Sequence, residues 1–282
     1  MFKIGAHVSA AGGLYKCVEN ALAIGAEAIQ IFGSSPRQWR VTLPSADSVK
    51  LYKTALEKSG IKDVFLHAPY LINLASPDEA TWQNSVNNLA GSLQISELME
   101  ANGVIFHVGS GKDSDRAPGL TRAITGMKAA LKMAPGKTHL IIENSASAKK
   151  AGADTPEIAY LMNGVDDKRV KVCIDTAHAF EAGWVKDYSP QEIDRLMDDL
   201  EKNIGLSNIL AVHVNDSKTA QGSNHDQHDN IGEGQIGLEG FKNLAKEKRL
   251  WDKPWLLEVP GFEDMGPDKK NIDILKKLRD GK

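Results

Sequence analysis

VKVCIDTAH, residues 170–178, is the stretch on which the fold turns. It opens as a short apolar run, the pattern of a parallel strand covered on both faces. The run stops on Asp175, and His178 follows three residues later. A buried strand that ends on a carboxylate, with an imidazole in the next turn, places polar groups where packing alone does not want them. The device recurs along the chain. VFLHAPY at 64–70 ends its run on His67, VIFHVG at 104–109 on His107 and LIIENS at 140–145 on Glu143. LAVHVND at 210–216 does so on His213, and WLLEVP at 255–260 on Glu258.

Working outward, eight strand-like runs can be read: 3–8, 28–33, 64–67, 104–108, 140–143, 170–175, 209–214 and 255–259. The segments between them carry helix punctuation. Ser76-Pro77-Asp78-Glu79 reads as a capping box with proline at the first helical position, and that helix should stop near Asn102-Gly103. Ser189-Pro190-Gln191-Glu192 repeats the device, with a stop at Gly205. Thr155-Pro156 opens a third helix that ends at Asn163-Gly164, and Val49, Tyr52 and Leu56 form an apolar stripe before Gly60.

Strand and helix alternating eight times predicts an α/β fold, a single-domain (β/α)₈ TIM barrel spanning 1–282. A doubly wound open sheet is the alternative. The barrel is preferred because ligand-type residues end six runs spread through the chain, and only a closed barrel gathers those ends on one rim. The longest gap between strands, from His213 to Glu258, holds an insert rich in Gly, Asn, Asp and His.

At 41% hydrophobic and 25% charged, the 282 residues make an ordinary globular composition. The sequence shows no signal-peptide pattern and no membrane span, so a cytoplasmic protein is expected. Cys17 and Cys173 are too few for a disulfide framework and read as reduced, buried thiols. A net charge of −3 argues against a protein that coats nucleic acid. It leaves room for an enzyme that grips DNA locally.

Nine residues make the candidate metal set: His67, His107, Glu143, Asp175, His178, His213, Asp226, His228 and Glu258. Imidazoles and carboxylates without cysteine suit zinc or a similar divalent ion better than calcium or magnesium. Taken singly, each has a duller explanation. A histidine after a strand is usually just hydrogen-bonded, Asp175 or Asp216 can cap a helix, and Asp226-Gln-His228 can be a solvated loop. Five of the eight histidines fall in the set, however, which coincidence does not produce. His7 ends the first run and reads as a support beside the rim, His139 begins a strand on the far side, and His225 has no assigned role. Nine ligands exceed one tetrahedral zinc and fit two or three ions with a bridging carboxylate. Clustered divalent ions most often serve phosphoryl chemistry.

The chain resembles the endonuclease IV family of zinc-dependent apurinic/apyrimidinic endonucleases. The likeness runs through GAHVSAAGG at 5–13, RQW at 37–39, HAPYLINL at 67–74, FHVGS at 106–110 and IDTAHAFEAG at 174–183. It continues through HVNDSK at 213–218, HDNIGEG at 228–234 and LLEVP at 256–260. The resemblance implies three zinc ions, with manganese or iron possible at some positions. The first takes His67, His107 and a bridging Glu143; the second takes Glu143, Asp175, His213 and Glu258; the third takes His178, Asp226 and His228. It implies hydrolysis of the phosphodiester 5′ to an abasic site in duplex DNA, with Glu143 beside the nucleophile, and trimming of blocked 3′ ends. It implies that Arg37 and Tyr70 enter the duplex near the lesion, in a protein acting as a monomer.

Three stretches depart from the family pattern. GSSP at 33–36 lacks a lysine common there, ENSASAKKAG at 143–152 replaces a glycine-rich continuation, and Asn224 and Gln227 stand where arginines are frequent. Fewer cations on DNA-facing loops predict a looser grip on phosphate, offset in part by Lys149 and Lys150. A sugar isomerase or epimerase with one or two metals on the same barrel is the rival reading, and nothing in it requires Asp226 or His228.

Overall fold

The computed structural model describes residues 1–111 and 116–281. Its strands and helices alternate in chain order: β1 (Ile4–His7), α1 (Lys16–Ile24), β2 (Ala28–Phe32), α2 (Ala46–Ser59), β3 (Asp63–His67), α3 (Glu79–Met99), β4 (Gly103–Phe106) and α4 (Arg116–Met133). Then come β5 (His139–Glu143), α5 (Thr155–Val165), β6 (Val170–Asp175), α6 (Thr176–Glu181), α7 (Pro190–Asn203) and β7 (Ile209–His213). Two short strands, β8 (Asp216–Ser217) and β9 (His228–Asp229), precede α8 (Gly237–Leu244), β10 (Trp255–Leu257) and α9 (Lys269–Arg279). The eight longer strands close in the order β1-β10-β7-β6-β5-β4-β3-β2, with every pairing parallel. The open-sheet alternative is excluded by β1, which pairs with both β2 and β10.

Inside the barrel, the strand period of two builds one layer on another. Ala28, Phe65, Ile105, Ile141, Cys173, Ala211 and Leu256 form a small apolar cluster apart from the main core. Two residues after each of these stand Gln30, His67, His107, Glu143, Asp175, His213 and Glu258. Residues two apart share a face, so every polar member of the rim sits above its own apolar floor. On β1 the pair is Gly5 and His7. A Cβ on Gly5 would lie 2.4 Å from the Ala28 carbonyl oxygen, so no larger residue fits at that crowded position.

The main core lies between strands and helices, where Ile4, Val64, Leu66, Val104, Ile142 and Val172 meet buried residues such as Leu89 and Leu93 of α3. Both cysteines are free and buried. Among the described residues, no helix is long and apolar enough to cross a membrane.

Two caps differ from the sequence expectation. Helix α3 starts at Glu79, because Asp78, rather than Ser76, accepts from the Thr81 N–H at 2.8 Å. Ser76 is buried, and its hydroxyl takes the Asp78 N–H at 3.2 Å. At α7, Ser189 makes no side-chain cap bond, and Glu192 accepts from the Lys186 N–H at 3.0 Å instead. Helix α5 runs on to Val165, one residue past Gly164.

The insert after β7 folds as an antiparallel ribbon of β8 and β9, pairing Asp216 with Asp229 and Ser217 with His228. Asp216 opens no helix in its own segment, but its carboxylate meets the N-terminus of α8, where it accepts from the Gly237 N–H at 3.2 Å. It is buried and accepts from the N–H groups of Gly232, Gly234 and Ile236 at 3.0, 3.1 and 2.9 Å, winding the 232–237 turn around one carboxylate. Gly234 permits this: a Cβ there would lie 2.4 Å from the Ser217 carbonyl oxygen.

Candidate metal centre

The strand ends converge as the barrel requires, and all nine candidate ligands come together at one rim. Their donor atoms fall into groups within 4.8 Å: His67, His107 and Glu143; Glu143, Asp175, His213 and Glu258; and Asp175, His178 and His228, with Asp226 joining through His178. Glu143 belongs to two of them. Its Oε2 faces His67 Nε2 at 3.0 Å and His107 Nε2 at 3.4 Å, while its Oε1 faces His213 Nδ1 at 2.9 Å. His213 Nδ1 in turn lies 3.2 Å from Glu258 Oε2 and 3.9 Å from Asp175 Oδ2. In the third cluster, His178 Nε2 is 3.2 Å from Asp226 Oδ1 and 3.3 Å from His228 Nε2. Ligands of a tetrahedral ion bonded at about 2.0–2.2 Å stand about 3.3–3.6 Å apart, so the donor spacing fits divalent ions.

Tautomers point the same way. A carbonyl only accepts, so the ring nitrogen facing it carries the hydrogen and frees the other nitrogen's lone pair. His67 Nδ1 donates to the Ala68 carbonyl at 2.7 Å and His178 Nδ1 to that of Asn144 at 3.0 Å, each leaving Nε2 for its group. His213 is turned round. Its Nε2 donates to Gln30 Oε1 at 2.8 Å, which leaves Nδ1 facing Glu143 and Glu258.

The electrostatics call for positive charge. Burial opposes ionisation of Glu143, but nearby His107 and His213 and hydrogen bonds from His178 and His213 hold its carboxyl well below the usual range. Burial pulls His178 down, yet Asp175, Asp226 and Glu143 overcome it and push the imidazole well above its ordinary value. Buried carboxylates thus retain a proton on a neighbouring ring, and a divalent cation replaces such a proton. Burial pushes His107 down to about 4, which keeps it in the neutral form a ligand needs.

Supports that escaped the sequence reading surround the donors. Gln30 also donates to Glu258 Oε1 at 2.5 Å. Asn215 donates to Asp175 Oδ2 at 2.6 Å and accepts from the Glu258 N–H at 2.7 Å, and Asn144 Oδ1 accepts from the Asp175 N–H at 2.6 Å. A polar residue inside the apolar run AIQIF was the available signal for Gln30, since it shares the face of Ala28. His7 does stand beside the rim, its Nδ1 3.4 Å from Glu258 Oε1. His139 lies at the opposite end of the barrel, bonded through Nδ1 to the Asn102 carbonyl at 2.9 Å. His225 is exposed.

Tyr70 is 73% exposed, so its ring is free to meet a partner, and it packs edge-on to Phe32 at 5.5 Å and lies 6.3 Å from the His67 ring. Arg37 is exposed on the loop after β2. A cavity of about 650 Å³ opens beside the rim, lined by His7, Phe32, Ser35, Tyr70, Glu258 and Met265 among others. The departing loops touch one another: Asn224 Oδ1 accepts from the Ala148 N–H at 2.7 Å, and Lys150 Nζ lies 4.0 Å from Asp226 Oδ2. Arg116 holds that loop from behind, donating to the Ala148 and Lys150 carbonyls at 2.7 and 3.1 Å and to Glu157.

Known proteins match this chain over nearly its full length. The family model described as a xylose isomerase-like TIM barrel matches residues 18–279. A protein of Halothermothrix orenii named probable endonuclease 4 is 36% identical over 277 residues, covering 98% of this chain and 99% of that one. The crystal structure of endonuclease IV from Thermus thermophilus superposes with a TM-score of 0.87 at 33% identity, covering 99% of this chain and all of that one. The chain belongs to the endonuclease IV family. A D-tagatose 3-epimerase-like protein shares the barrel at a TM-score of 0.72 and 19% identity, a likeness of fold alone. In this endonuclease IV family member the ribbon brings the loop pair Asp226 and His228 against His178.

Proposed function

We propose that this protein is a zinc-dependent endonuclease that hydrolyses the phosphodiester 5′ to an abasic site, leaving a 3′-hydroxyl and a 5′-deoxyribose phosphate. Membership of the endonuclease IV family makes it a DNA-repair hydrolase acting on DNA. The observation that carries the finer reading is the division of Glu143, one oxygen toward His67 and His107 and the other toward His213. Such a carboxylate suits two ions side by side, and His178, Asp226 and His228 suit a third. When bound, divalent ions would activate water, neutralise the phosphate oxygens and stabilise the departing alkoxide.

The chain's own side chains supply the rest. Glu143, ionised and walled off from bulk water, orients the attacking water toward phosphorus, and the bond to the 3′ oxygen breaks. Gln30, Asn144 and Asn215 lock the carboxylates and His213 in place, so little reorganisation accompanies the reaction. Tyr70 and Arg37, beside the rim, enter the duplex at the lesion and favour extrusion of the baseless sugar, which has little stacking to lose. The same site trims blocked 3′ ends, and the protein works as a monomer in the cytoplasm. A sugar epimerase would leave Asp226 and His228 without a purpose, and no observation favours it.

The direct test combines metal content with nicking of a duplex carrying one abasic site, before and after chelation. Stoichiometric zinc with chelator-sensitive incision 5′ to the lesion supports the proposal. A metal-loaded protein that leaves that strand intact refutes it.

A further inference from the structure

Glu181 is the last residue of α6, one turn after His178, and it is fully buried. One of its carboxylate oxygens lies within 4.8 Å of donor atoms of both His178 and Asp226. Its Oε1 is satisfied, accepting from Ser217 Oγ at 2.7 Å, Thr219 Oγ1 at 3.3 Å and the Gln227 N–H at 3.2 Å. Its Oε2 is buried and has no hydrogen-bond partner among the described residues. A buried carboxylate oxygen left without a donor is strongly unfavourable, and native structures rarely keep one unless something else satisfies it. No arginine or lysine pairs with Glu181 among the described residues, and the positive group that acts on it is the His178 imidazole. The i, i+3 spacing of His178 and Glu181 puts both on one helical face, toward the loop that carries Asp226.

We infer that Glu181 is a fourth protein donor of the third ion, beside His178, Asp226 and His228. The inference rests on the proposed occupancy of that site and deepens it. Glu181 lies within the IDTAHAFEAG stretch at 174–183, in which the sequence marks only Asp175 and His178 as donors. Through Oε1 it anchors Gln227, the residue between Asp226 and His228, so one carboxylate fixes the loop that brings two donors and contributes a third. Two imidazoles and two carboxylates complete a tetrahedral shell from protein atoms. The third ion therefore stays bound without DNA, and substrate oxygen must enter as an added or exchanging ligand.

Glu181→Gln separates the two roles, because the amide keeps an acceptor for Ser217 and Gln227 and loses the anionic donor. Competition with a chromophoric chelator counts tightly held zinc, and cobalt substitution reports coordination by its visible absorption. The unsubstituted protein should hold the third ion in a DNA-free tetrahedral site. The variant should hold that ion at least ~10-fold more weakly, with a weaker cobalt band and an unchanged thermal midpoint for the chelated protein. Equal third-ion affinity in Glu181→Gln and the unsubstituted protein overturns the inference and leaves Glu181 an anchor only. A five- or six-coordinate cobalt spectrum in the unsubstituted protein also overturns it, whether or not the variant folds. Nicking is scored separately: a protein that binds the third ion through Glu181 but never incises abasic DNA fails the proposed function and keeps this inference.

Discussion

Gln30 and His213 are 183 positions apart in the chain and meet at 2.8 Å inside the barrel mouth. The amide oxygen takes the Nε2 hydrogen of the imidazole, and the same amide's nitrogen is held 2.5 Å from Glu258 Oε1. One uncharged side chain thus sets the tautomer of one donor and the direction of another. Gln30→Leu should fold, since its face continues the apolar floor, but should bind metal ~10–100-fold more weakly. Chelator competition checks this; an unchanged affinity would show that the barrel alone orients His213.

Glu143→Gln should keep the barrel and lose the reaction. The substitution removes the charge that faces both histidine clusters. Single-turnover nicking should fall by at least ~10²-fold, while the position of any residual cut stays the same. A variant within a few-fold of the parent would remove Glu143 from the chemistry.

Lys150 stands 4.0 Å from Asp226, on a loop clamped by Arg116 and by Asn224. Lys150 is placed to meet a backbone phosphate at the third cluster. Lys150→Gln should weaken abasic-duplex binding and flatten the logarithmic salt slope by about 0.9, leaving the rate at saturating DNA within a few-fold. The departures at 33–36, 143–152 and 222–228 predict a looser grip than that of a typical endonuclease IV family member. Equal affinity and equal salt slope, measured side by side, would refute it.

Glu27 ties the two ends of the chain together. It accepts from the Ile4 N–H at 3.0 Å and from Arg279 at 2.7 Å. Burial pushes its carboxyl up, but the Ile4 N–H, Arg279 and Lys276 outweigh that and leave it below its ordinary 4.5. A carboxyl lowered on folding stabilises the protein above the unfolded value and loses that contribution as pH falls through the lower folded one. Glu27→Gln should therefore cost ~1 kcal/mol at pH 7, discounted for partial exposure, and less at pH 3, below the ordinary 4.5. Thermal melts at both pH values check the sign; an equal loss at both would make the effect one of packing.

Chelation should proceed in stages. Most donors of the first two clusters sit at strand ends, whereas Asp226 and His228 belong to the insert, and Asp226 is 40% exposed at its side chain. Graded chelator should remove one ion before the other two, with nicking lost at that first step. Simultaneous loss of all metal would place the three sites in one cooperative unit.

The barrel was legible because its strands end on residues that an apolar core rejects, and the endings repeat. Six of the nine candidate donors were visible from that rule, and His178, Asp226 and His228 from the local pairs Asp175–His178 and Asp226–His228. The rest was hidden for physical reasons. Gln30 lies inside an apolar run, and Asn144 and Asn215 follow donors as if they were loop residues. Glu181 occupies a short helix where a carboxylate ordinarily faces solvent. The Ser76-Pro77 device misled because Asp78, two residues later, supplies the oxygen that the first turn uses. Ser189 misled because its partner Glu192 has a better donor in the Lys186 backbone.

Floor and rim alternate with a spacing of two along every long strand, from Ala28–Gln30 to Leu256–Glu258. Inserting or deleting one residue within any of these strands would turn its ligand outward into the helical shell and swing a greasy neighbour into the reaction chamber. Strand lengths are therefore frozen by chemistry as much as by folding. Room to vary the footprint on the double helix is left in the loops above, where the stretches 33–36, 143–152 and 222–228 lie.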